Sequence, residues 1–381
     1  MVSRFIKEVR QRYRRSSGSI YLIETAMFGN ERQFINNCLD SRKVSTIGEE
    51  VGQFEEVVAS RLGVKYALAT SSGTAALHLG LMALGVKSDE WVLTSPFTFI
   101  ATSNAILQAG GQPLFIDIDQ TTLGLCPVAL EEFLTKETEV DSSGNCYHRA
   151  SRRRIAACLP IHVFGHPANL PPIQRLCQQY NIPVLEDAAE GLGSLVSGQA
   201  VGTFGDAGVL SFNGNKIITS GGGGVLLTDD KTIYQKAFHR ANQLKSSMNN
   251  EVEEVSYNYR MPALNAALGL AQWQHLNQCV EQKRALYGWY ANLFNESDIE
   301  VLKEPPDSHS NYWLQALVFP NRQQRDIFVE KTNASGIETR VAWKSLHRYP
   351  LFNHRFHTSL SNAEWAESYL VNIPSTIVPD A

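Results

Sequence analysis

Between about residues 50 and 230, short apolar runs alternate with helix-like segments, and this rhythm limits the chain to few architectures. The runs Tyr66-Ala67-Leu68-Ala69-Thr70, Trp91-Val92-Leu93-Thr94, 113–116, 182–185, 209–212 and 225–228 are too short for helices, so they are predicted to be buried strands. Residues 74–84 and 171–180 have helical character. Strands alternating with helices predict an α/β layer on a largely parallel sheet, with ligand-handling residues just beyond the carboxyl ends of the strands. Residues 263–274 and 281–295 are predicted as helices, and a final α/β stretch follows them. At 381 residues the chain exceeds a single domain of roughly 100–200 residues. The expected division is a basic N-terminal extension over 1–19, a large domain over 20–240 and a smaller C-terminal α/β domain over 241–381.

Composition removes several classes. A net charge of −4 gives no bias toward nucleic acid. Six cysteines lack paired short spacings, which points to reduced thiols and a cytoplasmic protein rather than to a zinc knuckle or a disulfide scaffold. No apolar stretch approaches the ~18 residues of an integral membrane segment. Arg4, Lys7, Arg10, Arg12, Arg14 and Arg15 accompany Val2, Phe5, Ile6, Val9 and Tyr13 at helical spacing. Ser16-Ser17-Gly18-Ser19 then breaks the pattern where a secretory leader would continue. Two readings remain for this helix: frayed or packed on a partner, or lying on a membrane surface. Residues 137–154 break the α/β rhythm with a turn, Asp141-Ser142-Ser143-Gly144-Asn145, and four arginines at 149, 152, 153 and 154. A surface hairpin is predicted there, its cations forming a solvated face or a basic lip for an anionic substrate. Cys158, His162 and His166 recur at four-residue intervals, but Gly165 and Pro167 break the segment, and no metal is expected.

Three segments carry chemistry. In Thr70-Ser71-Ser72-Gly73-Thr74-Ala75-Ala76-Leu77 a strand gives way at once to a helix, whose free amides and dipole favour a phosphate. Ser/Thr caps also open helices that bind nothing. In Leu185-Glu186-Asp187-Ala188-Ala189-Glu190 an acidic pair closes an apolar strand. An Asp there could bind a metal, act as a base, hold a cationic ring nitrogen or cap a helix. In Ser211-Phe212-Asn213-Gly214-Asn215-Lys216 a lysine follows a strand and precedes a run of four glycines. Its amine can condense with an aldehyde once deprotonated. The order phosphate-type loop, strand-end Asp, strand-end Lys supplies the three supports that pyridoxal phosphate needs.

These segments resemble the DegT/DnrJ/EryC/StrS family of sugar aminotransferases, fold-type I pyridoxal-phosphate enzymes. The resemblance is carried by Ser72-Gly73-Thr74-Ala75-Ala76-Leu77, Pro96-Phe97-Thr98-Phe99-Ile100-Ala101-Thr102, Ile161-His162-Val163-Phe164-Gly165, Glu186-Asp187-Ala188, Gly205-Asp206, Ser211-Phe212, Tyr257-Asn258-Tyr259-Arg260-Met261 and Ala266-Ala267-Leu268-Gly269. It implies a fold-type I transferase with a mostly parallel central sheet. Lys216 would hold the cofactor covalently and later shuttle a proton, and Asp187 would pair with the pyridine nitrogen. Phe99 would stack on the ring. Ser72, Gly73, Thr74 and Ser211 would hold the phosphate, joined by Asn258 from a neighbouring subunit of a homodimer. Glu190 stands where many relatives carry glutamine. A sugar dehydratase of the same fold has histidine in place of the lysine, which Lys216 argues against. Asn213 to Thr219, the 137–154 excursion and Trp343-Lys344-Ser345-Leu346-His347 are similar to the branch that aminates UDP-linked 4-keto-6-deoxy-N-acetylhexosamines in glycan and nonulosonic acid biosynthesis. The resemblance therefore implies L-glutamate as amino donor and a nucleotide-linked keto sugar as acceptor, with a dTDP-sugar 3- or 4-aminotransferase as the alternative. Thr98, His162, Arg260, Arg340 and His347 are candidate substrate contacts, as is the Arg152–Arg154 cluster.

Overall fold

The computed structural model describes residues 1–242 and 255–377. Its centre is the sheet that the alternating pattern predicts. Tyr66–Thr70 pairs antiparallel with Gly224–Thr228, which pairs antiparallel with Ala207–Ser211, which pairs parallel with Leu185–Asp187. On the other side Trp91–Thr94 lies between Gln112–Phe115 and Ile155–Leu159, all parallel. Parallel bridges Cys158–Val184 and Ile161–Asp187 run the two halves together, leaving Gly224–Thr228 the one strand reversed among these. The strand expected over 182–185 begins only at Leu185, because Pro183 has no N–H to give a ladder.

Helices bury both faces, as the unbroken burial of the strands requires. Gly73–Ala83, Ala101–Gln108 and Lys231–Ala241 cover one side. Glu49–Leu62 and Ala263–Trp273 pack with Pro127–Glu137 and Leu170–Gln179 over the rest of the sheet. The excursion is a hairpin, Thr138–Val140 against Cys146–His148, its turn held by amides of Ser143 and Asn145 on the Asp141 carboxylate. Its arginines are consumed locally. Arg149 and Arg152 reach Glu139, Arg154 reaches Glu90, and Arg153 lies 5.1 Å from the Trp91 ring centroid. Of the two readings, the solvated face describes them: Arg149, Arg152 and Arg153 keep exposed side chains within local ion pairs.

The C-terminal sheet is antiparallel, in the order Glu300–Val301, Gln315–Val318, Leu370–Ile373, Arg340–Val341. Helices Leu276–Phe294 and Arg322–Ala334 cover it, the first beginning five residues before the predicted 281. The basic N-terminal helix, Val2–Arg12, docks on the same core. Phe5 is fully buried, its ring 4.9 Å from that of Phe328 and 6.1 Å from that of Tyr290. The apolar stripe is thus occupied within the chain, which replaces both expectations for this helix. No described helix is long and apolar enough to cross a membrane.

Candidate active site

At the carboxyl ends of the strands opens a cavity of about 390 Å³, with Ser72, Gly73, Thr74, Phe99, Asp187 and Lys216 on its walls. Its anion end is built by close backbone approach. Extended Ser72 caps the Gly73–Ala83 helix, its hydroxyl accepting from the Ala75 amide at 3.1 Å. The amides of Gly73 and Thr74, in the first turn, have no helical acceptor. A Cβ on Gly73 would stand 2.9 Å from the Ser211 Cβ, and one on Gly224 would stand 2.5 Å from the Gly73 nitrogen. Only glycines let the strand-end Ser211 and the helix start meet here.

Asp187 is 4% exposed. Its carboxylate accepts from the Thr102 hydroxyl at 2.7 Å and from the Ala189 amide at 3.2 Å. Burial raises its pKa, against the pull of those two donors and of Lys216 and His162. A buried carboxylate so placed favours a cation opposite it. Its neighbour Glu186 points the other way, as successive strand residues do. Glu186 accepts from the amides of Gly202, Phe204 and Gly205 and lies 3.1 Å from His162 Nε2.

The Lys216 amine stands 3.6 Å from Glu190 Oε1 and 4.2 Å from the centre of the Trp313 ring. Glu190 is buried, its other oxygen accepting from the Phe164 amide at 2.9 Å. Burial is the main cause that pushes its carboxyl up to about 7, with Lys216 lowering it and Asp187 raising it. Phe99, by contrast, is 57% exposed on the cavity wall, an apolar face with nothing stacked on it.

Of the predicted residues, Ser72, Gly73, Thr74, Thr98, Phe99, Asp187, Glu190, Ser211, Lys216 and Arg340 line this one cavity. Four candidates do not. His162 is fully buried behind the strand, its Nδ1 accepting from the Ala168 amide and its Nε2 facing Glu186. Arg260 is committed to Glu55 at 2.5 Å, and His347 to Ser345 at 2.9 Å. Asn258 pairs through its backbone with Asn242, away from the cavity of its own chain. Cys158, His162 and His166 do not converge, and no group among the described residues could hold a metal ion. Sequence reasoning missed Trp313, and it gave no role to Thr102, which orients Asp187. Thr102 stands one turn from Thr98, whose hydroxyl it meets at 3.2 Å, a spacing that could have flagged it.

The donor set fits a phosphorylated aldehyde with a cationic ring: unpaired helix amides for the phosphate, a buried carboxylate for the ring nitrogen, an exposed phenyl face and an amine. The DegT/DnrJ/EryC1/StrS aminotransferase family matches residues 26–378. The GDP-perosamine synthase of Escherichia coli O157:H7 is 33% identical, covering 93% of this chain and 94% of that protein, and the one from Vibrio cholerae is 31% identical over 88% of each. The solved PseC of Helicobacter pylori, an aminotransferase of pseudoaminic acid biosynthesis, superposes with a TM-score of 0.84 at 24% identity, covering 93% of each chain. With the family matched over nearly its whole length, the chain belongs to the DegT/DnrJ/EryC1/StrS aminotransferases and is a pyridoxal-phosphate-dependent nucleotide-sugar aminotransferase.

Proposed function

We propose that this enzyme transfers the amino group of L-glutamate to a nucleotide-linked 4-keto-6-deoxy sugar, with UDP-4-keto-6-deoxy-N-acetylhexosamine as the first candidate. The carrying observation is the convergence of Lys216, Asp187 and the Ser72-Gly73-Thr74 helix start on one cavity. Bound pyridoxal phosphate supplies an electron-accepting ring through which an amino group is exchanged with a carbonyl. Ser72, Gly73, Thr74 and Ser211 would hold its phosphate, Phe99 its ring face and Asp187 its ring nitrogen. Lys216 would hold it covalently, and the freed Lys216 amine would carry the proton between donor and acceptor carbons. Glu190 would lie beside the ring's oxygen. Arg340 is the cavity cation available to a substrate carboxylate or phosphate.

Asn258 of the partner subunit would complete the phosphate site, which makes the working unit a homodimer with shared sites. Exposed Met27, Leu39, Val44 and Ile47 offer apolar surface for such a contact. Six unpaired cysteines suit a cytoplasmic location, and the product suits surface-glycan or nonulosonic acid biosynthesis.

The purified enzyme should be yellow and lose its visible band on adding L-glutamate. Incubation with UDP-, GDP- and dTDP-linked 4-keto sugars, read by mass, identifies the acceptor. The GDP member is included because two relatives are GDP-perosamine synthases. Lys216→Ala should lose turnover by roughly a thousandfold or more; wild-type turnover in that variant would overturn the assignment.

A further inference from the structure

Lys216 has two close neighbours, and only Glu190 belongs to the motifs of the large domain. The other, Trp313, arrives from the C-terminal unit, and three bonds fix it. Its indole N–H donates to the Asn215 carbonyl at 2.7 Å, one residue before the lysine. Its backbone N–H donates to Asn311 Oδ1 at 2.7 Å, and its carbonyl accepts from the buried Lys283 amine at 2.8 Å. Asn311 in turn donates to the carbonyls of Glu190 and Leu192, each at 2.8 Å, so one side chain holds the indole and the Glu190 backbone in fixed relation. Trp313 is 4% exposed and belongs to the buried apolar cluster that also contains Leu22, Phe97 and Phe164. Its free face looks at the Lys216 nitrogen from 4.2 Å.

We propose that Trp313 is a positioning residue for Lys216: its indole anchors the Asn215 carbonyl beside the lysine, and its ring face holds the amine toward Glu190 and Asp187 while favouring the positively charged form of the lysine nitrogen. An aromatic face attracts a cation through its quadrupole, most strongly where water is excluded. The charged groups facing the nitrogen are the Asp187 and Glu190 carboxylates, with Arg340 also lining the cavity. Phenylalanine would keep a ring face but not the bond to Asn215; leucine would keep neither. This inference rests on Lys216 being the cofactor-bearing lysine.

The test uses the yellow holoenzyme of wild type, Trp313→Phe and Trp313→Leu. Spectrophotometric pH titration of the visible band should show its midpoint falling by about one pH unit in the leucine variant and by about half that in the phenylalanine variant. The leucine variant should lose about tenfold in kcat for the L-glutamate half-reaction with KM within about twofold, because the defect lies in the lysine rather than in substrate binding. Cofactor reassociation with the stripped protein should slow in the same order. A side chain that only filled space would lower the melting temperature and leave the midpoint where it was. Midpoints equal to wild type in both variants overturn the inference; should the leucine variant not fold, an unchanged phenylalanine variant does so alone. Borohydride reduction followed by peptide mass mapping separates the two levels. A cofactor adduct off Lys216 overturns the functional reading, whereas an adduct on Lys216 with unmoved midpoints overturns only the role of Trp313.

Discussion

Burial pushes the Glu190 carboxyl up to about 7 in the cofactor-free chain, from 4.5 in an exposed glutamate. The folded state therefore keeps a proton that the unfolded chain releases between those values. The favourable contribution is complete below 4.5 and is lost as pH rises toward 7, by roughly 2–3 kcal/mol. Glu190→Gln keeps an oxygen for the Phe164 amide and cannot titrate. Urea unfolding at pH 4.5 and 7.5 should show the wild type losing that amount relative to the variant; parallel curves would refute the linkage. Asp187→Asn removes the charge and leaves one acceptor oxygen where Thr102 and the Ala189 amide each had their own, so kcat should fall by roughly a hundredfold or more with the fold intact, checked by steady-state assay alongside circular dichroism. Lys216 and Asp187 were readable because each follows a strand of strong pattern. The opposite duties of Glu186 and Asp187 were not, since they depend on which face of the strand each takes and on a loop 16 to 19 residues beyond Glu186. Trp313 was invisible for a similar reason: its bond to Asn215 spans 98 residues and leaves no local periodicity.

Among the elements, the N-terminal helix had the clearest pattern and the least readable destination. Its apolar spacing identified a buried stripe, but no feature of residues 1–19 names the surface that buries it. The surface is helix Leu276–Phe294 with Phe328, and Arg10 secures the arrangement by donating to the carbonyls of Arg15, Gly18 and Ser335. Phe5→Ala should cost about 3–5 kcal/mol in chemical unfolding, whereas Arg4→Ala and Lys7→Ala, both exposed, should stay within about 0.5 kcal/mol. Similar costs for all three would mean that the helix is held by its charges. The hairpin at 138–148 was legible from its turn residues alone. The pairing of its arginines with Glu139 and Glu90 was not, since Glu90 lies 64 residues away from Arg154.

Across the whole molecule, Lys283 joins parts that no motif connects. Fully buried on helix Leu276–Phe294, its amine donates to the Trp313 carbonyl and to Ser375, next to the Pro374 carbonyl held by Tyr290 and the Thr376 carbonyl held by Tyr13. Helix, C-terminal segment and the floor under Lys216 thus share one nitrogen. Burial lowers its pKa from 10.5 to about 7, and a neutral amine has two hydrogens for its two carbonyl partners. Between 7 and 10.5 the unfolded chain binds a proton that the folded chain does not, so this contribution is full above 10.5 and is lost as pH falls toward 7. Wild-type stability should therefore gain up to about 1.4 kcal/mol per pH unit from this group between pH 7 and 10, a gain absent in Lys283→Met. The difference between the two proteins in urea unfolding should widen with pH, and a constant difference would show that the amine is charged in the folded state. Glu190 removes stability as pH rises to 7 and Lys283 adds it only above 7, so the two contributions act in separate pH windows and each can be read against its own variant. Ligand binding stabilises by mass action. Saturating cofactor should therefore raise the melting temperature by an amount set by its concentration and affinity, and thermal scans with and without it should show that gain in the wild type and in Lys283→Met alike.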